Sequence, residues 1–468
     1  MAEQSPQVLP VSCWARTMSA AADLGDARRK RRFAEVLATL AKSPESSIPQ
    51  ACGGWGATKA TYRFLSNPHM DTDELRASLV EAVVQACAGH SRIYAVEDTT
   101  YFNFSTLRET RGLGPIGATR AKDLCGLITH STLALDIHGT PLGLLDQFTY
   151  ARDLEKKPAR ALKRAPIEQK ESGRWLNAVR AVRECFARLP APSRPEVVHV
   201  MDREGDIHEL FDAFATQGDR FIVRCNQNRR VDGPGYAHDV VAAAPRLGRG
   251  TVTVPRRGAR PARTATVEYR ATRMELDPSG PSHPNRRRLP LTLVEVREVE
   301  APEGVEALRW RLWTSEAAET LAQAKAVAAA YALRWRIEDV HLTLKSGCKV
   351  EELQLETAER LKRALLLYTA VAIRVVALRD LSRQQPDVPC TVLLDQDEWR
   401  VLWIEIHRRS PTVKTPTPTL REAVLWIGRL GGHLNRRRDG PPGVRTLWRG
   451  LRTLEIMLVG YRAARRLL

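Results

Sequence analysis

The spacing of apolar and polar residues changes period several times along this chain of 468 residues. Before about position 90 the apolar positions recur at helical spacing. Val36, Leu37, Leu40 and Ala41 continue the pattern opened by Ala27-Arg28-Arg29-Lys30-Arg31-Arg32-Phe33, with Asp26 placed to cap the helix. Two more helices are expected over residues 58–64 and 73–88. From Ser91 the period shortens to that of strands, and residues 92–98, 124–137 and 141–148 read as three in succession, the last two joined at His138-Gly139. A helix over about 168–189 precedes the apolar strand 197–201, which runs directly into Asp202-Arg203-Glu204-Gly205-Asp206. Strands, a helix and a further strand ending in an acid predict an α/β sheet with its site at a strand end.

Residues 220–315 read mostly as strands with Pro-, Gly- and Arg-rich connections, an antiparallel β insertion. Helices resume at Glu316 and continue to about Arg383. Mixed helices carrying Arg436-Arg437-Arg438 follow. The longest largely apolar run, residues 364–373, is about half of a membrane span, and no basic-then-apolar leader opens the chain. A cytoplasmic protein with no membrane partner is expected.

Composition adds a polyanionic partner. There are 72 Lys and Arg against 54 Asp and Glu, a net charge of +18. Such an excess is large for an enzyme of small neutral substrates and favours nucleic acid. The eight cysteines stand far apart without a CxxC pair, which argues against a zinc ribbon or a dense disulfide framework and fits reduced thiols.

Two acids stand out. Asp98 lies on the first strand and Asp202 ends the fourth, each after an apolar strand and before a polar segment. Carboxylates that converge without cationic partners repel one another, and a hard divalent cation such as Mg²⁺ relieves the repulsion. With a polyanionic partner, this suggests two-metal phosphodiester chemistry. A third element is the segment from Tyr331 to Lys345. On one helix, Tyr331, Arg334, Glu338, Leu342 and Lys345 fall near one face, which carries a phenol, a guanidinium, a carboxylate and an ammonium. By itself that face is equally an exposed ion-pair ladder. His208 and His341, beside the acids, are read as packing or hydrogen-bonding residues rather than metal ligands.

The spacing Tyr331-x2-Arg334-x3-Glu338-x6-Lys345 resembles the signature of the insertion-sequence-four family of bacterial cut-and-paste DDE transposases, in its Tn-five-type branch. The resemblance extends to Glu97-Asp98-Thr99-Thr100, Asp202-Arg203-Glu204 with Asp206-Ile207-His208, Leu24-Gly25-Asp26-x-Arg28-Arg29, Tyr62-Arg63-Phe64 and Glu171-Ser172-Gly173, from residue 14 to about 380.

It implies an α/β, RNase H-like catalytic core over residues 71–375, interrupted by the β insertion at about 220–315. A helical DNA-binding domain over 1–70 and a helical C-terminal domain over 376–468, for dimerisation or DNA contact, would flank it. It further implies Asp98, Asp202 and Glu338 as catalytic acids holding two Mg²⁺ ions, for which Mn²⁺ can substitute. Tyr331, Arg334 and Lys345 would grip phosphates, Trp310 would stack on a flipped base, and Arg224 would contact DNA from the insertion. Asn226 stands where a lysine is expected, with Arg229 and Arg230 nearby to supply charge. Arg28, Arg29, Lys30, Arg31 and Arg32 would bind the transposon end. The partners implied are duplex DNA, as terminal inverted repeats and target, and a second copy of the chain. The reaction implied is cleavage through a hairpin and joining of the 3′-OH to target DNA. Two alternatives remain at this stage: a non-catalytic DNA-binding relative, and an RNase H-like nuclease without strand transfer.

Overall fold

The computed structural model describes residues 9–117, 124–153, 165–233, 235–254, 262–277, 287–436 and 439–466. Arg437, Arg438 and the basic stretch 156–164 lie outside the described residues.

The first elements among the described residues are five helices: α1 (Val11–Ser19), α2 (Ala27–Lys42), α3 (Ile48–Cys52), α4 (Trp55–Ser66) and α5 (Thr72–Cys87). Asp26 caps α2, its side chain accepting the Arg28 backbone N–H at 2.7 Å. Helix α3 escaped the periodicity because it is short, although Ser47 and Gln50 form a capping box around Pro49. Helix α4 is longer than expected. It starts from the extended backbone of Gly54 and runs to Ser66, before Asn67-Pro68.

Among the described residues, ten strands form one sheet. They are β1 (Arg92–Asn103), β2 (Gly114–Pro115), β3 (Cys125–Leu135), β4 (Pro141–Tyr150), β5 (Glu196–Met201), β6 (Arg220–Arg224), β7 (Arg246–Val254), β8 (Arg263–Leu276), β9 (Leu289–Glu298) and β10 (Arg309–Thr314). Their order is β2-β3-β1-β5-β6-β10-β9-β8-β7, with β4 also on β3. Strands β1, β5 and β6 are mutually parallel, and the other pairings are antiparallel. Residues 220–224 therefore belong to the parallel centre rather than to the antiparallel insertion. The inserted strands continue the same sheet, because β10 pairs with the open edge of β6 and leaves no exposed edge between them.

Helices α6 (Gly173–Ala187), α7 (His208–Gln217) and α8 (Ala237–Ala243) cover one face. The other carries α9 (Leu321–Ala332), α10 (Trp335–Leu342) and α11 (Ala358–Gln384). The apolar run at 364–373 lies in α11, which is buried around nearly its whole circumference between sheet, N-terminal helices and C-terminal helices. That environment explains an apolar stretch too short to span a membrane, and among the described residues no helix is long and apolar enough to do so. The N-terminal helices share this core through Trp14, Met18, Phe33 and Leu37. Helices α12 (Gln396–His407), α13 (Leu420–Leu430) and α14 (Val444–Arg465) build a separate apolar cluster. There α13 and α14 touch backbone to backbone: a Cβ on Gly450 would stand 1.8 Å from the Ile427 carbonyl oxygen.

Candidate active site

Strand alternation on β1 sends Glu97 and Asp98 to opposite faces. Asp98 Oδ1 accepts the Thr99 N–H at 2.9 Å, while Oδ2 faces the helical layer. The parallel pairing of Glu97 with Met201 carries Asp202, the next residue after β5, to the same sheet end as Asp98. Asp202 caps a short turn, Arg203–Gly205, and accepts the Glu204 N–H at 2.8 Å. Glu338 comes from the first turn of α10.

Asp98 senses both other acids. Burial pushes the Asp98 carboxyl up to about 7, against the pull of Arg334, and the charges of Asp202 and Glu338 add to the rise. Asp202 is also raised, by burial first. The expectation of acids without a cationic partner is corrected here. Arg334 places Nη1 3.4 Å from Asp98 Oδ2 and Nη2 2.5 Å from Glu338 Oε1. Burial disfavours its charge, but Tyr331, Asp98 and Glu338 outweigh burial and hold it above the usual arginine value. His341 Nδ1 lies 3.8 Å from Asp98 Oδ2, and its buried Nε2 has no hydrogen-bond partner. Burial, then Lys345 and Arg334, drives His341 down to about 3, so it is neutral.

The donor chemistry of the three acids, carboxylate oxygens brought by three elements, suits a hard divalent cation. As they stand, however, no three Asp, Glu, His or Cys side chains among the described residues are close enough to hold one. The charge between Asp98 and Glu338 is the Arg334 guanidinium.

Tyr331, Arg334, Glu338 and Lys345 do not share one regular helix. Tyr331 lies in the last turn of α9, Arg334 sits at the break, Glu338 lies on α10, and Lys345 belongs to a π-helical turn, Thr343–Gly347. The break is tightened by three-residue hydrogen bonds, Arg334 N–H to Tyr331 O at 3.0 Å and Ile337 N–H to Arg334 O at 3.2 Å. Departures of this kind concentrate at functional sites. Trp310 on β10 is 3% exposed and meets the Tyr331 ring edge-on at 5.2 Å. The Arg224 guanidinium lies 5.9 Å from the Tyr331 ring centre and donates to the Arg309 carbonyl at 3.0 Å. Lys345 lies over Phe102 at 5.7 Å. Arg224, Trp310, Tyr331 and Arg334 thus form one chain of contacts leading to the acids.

Arg229 cannot replace the charge missing at Asn226, because it is committed to Asp206 and largely buried. His208 packs at the start of α7, its Nε2–H donating to the Arg287 carbonyl at 3.1 Å. In the basic run on α2, Arg28 and Arg31 are exposed, Lys30 is half-buried, Arg29 donates to the Leu24 carbonyl and Arg32 pairs with Glu35 at 2.7 Å.

Sequence reading missed two groups. Glu97, fully buried, meets His199 Nδ1 at 2.8 Å and lies 3.6 Å from His130 Nε2 on the reverse face. The run of buried strand residues around Glu97 and His199 was the signal. Trp55 is 78% exposed at the start of α4, with exposed Lys59 and Arg63 at successive four-residue steps. An aromatic after Gly53-Gly54, followed by two cations at helical spacing, marks that face in the sequence.

Three comparisons with known families fall in chain order. Residues 12–70 match the family described as transposase DNA-binding, residues 177–373 the transposase DDE domain, and residues 370–467 the transposase Tn5 dimerisation domain.

Proposed function

For a chain that belongs to the Tn5-type DDE transposases of the insertion-sequence-four family, we propose Asp98, Asp202 and Glu338 as the catalytic carboxylates of a hairpin-forming, two-metal reaction at transposon ends. Membership makes the chain a DNA transposase, an enzyme that cuts DNA and transfers strands with divalent metal ions, generally Mg²⁺, and that binds DNA and dimerises. The finer reading rests above all on one observation: Arg334 bridges Asp98 and Glu338, at 3.4 and 2.5 Å, at the sheet end to which β5 carries Asp202.

In this reading Asp98, Asp202 and Glu338 hold two Mg²⁺ ions, or Mn²⁺ in their place. When bound, the ions supply Lewis acidity to the attacking and leaving oxygens. The protein's own groups do the positioning. Arg224, Tyr331, Arg334 and Lys345 hold backbone phosphates, Arg as a fork and Lys as a point charge. Water attacks the phosphodiester at the transposon end and frees a 3′-OH, and that hydroxyl then attacks the phosphodiester of the opposite strand, closing a hairpin as the flanking DNA leaves with its own 3′-OH. Hairpin opening and attack on target DNA follow at the same acids. Trp310 receives an extruded base only after Tyr331 turns from its edge, which couples base stacking to the phosphate grip. Arg28, Arg29, Lys30, Arg31 and Arg32 on α2 bind the terminal inverted repeat, with the segment 1–70 as the DNA-binding domain, 71–375 as the catalytic domain and 376–468 as the dimerising domain. The working form is a homodimer on DNA in a bacterial cytoplasm.

The test is incubation of the protein with end-containing duplex and Mg²⁺. Nicks at the 3′ ends followed by hairpins support the reading. Nicks without hairpins would favour a nuclease without strand transfer, and binding without cleavage a non-catalytic relative. Cleavage that persists in Asp98→Ala and Glu338→Ala would overturn the assignment of the acids.

A further inference from the structure

We infer that Arg334 is an exchangeable internal cation: it holds Asp98 and Glu338 in the DNA-free protein and passes to a backbone phosphate as DNA and metal load. The inference rests on the assignment of Asp98, Asp202 and Glu338 proposed above and adds how access to them is controlled.

The geometry is specific. Arg334 spends its two terminal nitrogens on two different acids, one per nitrogen, at 3.4 Å from Asp98 and 2.5 Å from Glu338. The residue is only 9% exposed. Its Nε is buried without a hydrogen-bond partner, so the side chain is held by the acids and not by a complete donor network. Other cations near the site are engaged elsewhere: Arg224 donates to the Arg309 carbonyl, and Lys345 lies over Phe102.

A divalent cation needs the oxygens that Arg334 holds. Guanidinium and metal cannot share them closely, because both are positive and the pocket is poorly screened. This accounts for a site rich in acids in which no three ligands among the described residues are yet gathered for a metal. Metal by itself offers displaced Arg334 no new partner, and a buried unpaired cation is costly. A DNA phosphate does offer one, as a bidentate acceptor for the same fork. The backbone permits the move, since Arg334 stands at the tightened break between α9 and α10 rather than inside a regular helix. Metal affinity and DNA affinity are therefore coupled, each raising the other by the same factor. The DNA-free enzyme holds metal weakly and stays idle.

The experiment measures Mn²⁺ binding to the full-length protein by electron paramagnetic resonance, with and without a pre-cleaved end duplex, so that no turnover is needed. Wild type should bind Mn²⁺ at least about tenfold more tightly with DNA than without. Arg334→Gln, which keeps polarity but not charge, should bind Mn²⁺ about tenfold more tightly than wild type in the absence of DNA, and gain little when DNA is added. Arg334→Lys, a single point charge unable to span both acids, should fall between the two, and it decides the matter if Arg334→Gln does not fold. Asp98→Asn should lose the site in either condition. If DNA-free affinity is unchanged or weaker in both Arg334 variants while Asp98→Asn still removes the site, the exchange is wrong and the carboxylate assignment survives. If Asp98→Asn leaves Mn²⁺ binding intact, the carboxylate assignment itself fails.

Discussion

Glu97 and Asp98 are consecutive residues of β1 that serve opposite faces of the sheet. Glu97 is fully buried against His199 and His130 beneath α6 and α7, and Asp98 meets Arg334 beneath α10. The strand that presents the first acid is anchored from behind by its neighbour. Glu97→Ala should cost about 3 kcal/mol in urea unfolding, because it leaves the buried His199 imidazole without its acceptor. Glu97→Gln, which keeps an acceptor for His199, should cost about 1 kcal/mol. Equal losses in the two variants would show that packing volume, not the polar contact, matters there.

Each of Asp98→Ala, Asp202→Ala and Glu338→Ala should lower end nicking by at least about a thousandfold, the scale expected when a metal-assisted step loses a ligand. Binding to end DNA should persist in gel-shift assays. Residual cleavage within tenfold of wild type in any one variant would remove that acid from the set.

Trp55→Ala should weaken binding to end-containing duplex by about tenfold, as expected for loss of an exposed aromatic anchor in an interface. The melting temperature should not move, because the ring is 78% exposed. Lys59→Ala and Arg63→Ala should instead reduce the salt dependence of binding by about one phosphate contact each. Wild-type affinity in Trp55→Ala would exclude this face of α4 from DNA.

Glu398, in the first turn of α12, gives the C-terminal helices a pH dependence. Burial pushes its carboxyl up to about 7. Asp395 and Glu455 add to the rise, while the Asp395 N–H and Arg374 oppose it. A folded value above the unfolded one means stability that is complete below the unfolded range and lost as pH rises through about 7. The change is up to about 3 kcal/mol. Glu398→Gln keeps the cap on Asp395 and should flatten thermal stability between about pH 5 and 8, with a residual slope from Glu455, which burial also raises. Identical pH profiles for variant and wild type would show that Glu398 does not titrate in this range.

Much of the architecture was legible as periodicity. The shift from helical to strand spacing at Ser91, the strand that ends at Asp202 and the long apolar stretch inside α11 are all local, since each follows from which side chains must face a core. The fate of residues 220–224 was not legible. A five-residue strand reads the same whether it pairs in parallel at the centre or antiparallel at an edge, and only its neighbours β5 and β10 decide.

The residues of the site follow the same division. Sequence determined which groups are available: two acids at strand ends, and a phenol, a guanidinium, a carboxylate and an ammonium spaced along one segment. Strand alternation already parts Glu97 from Asp98, but sequence could not determine that the helix breaks at Arg334, nor which partners the two acids meet. The partners stand far off along the chain, 102 positions for Glu97 with His199 and 236 for Asp98 with Arg334. Local spacing carries no term for them. Tertiary structure alone decided that the cation among these acids is, in the folded chain, one of its own arginines.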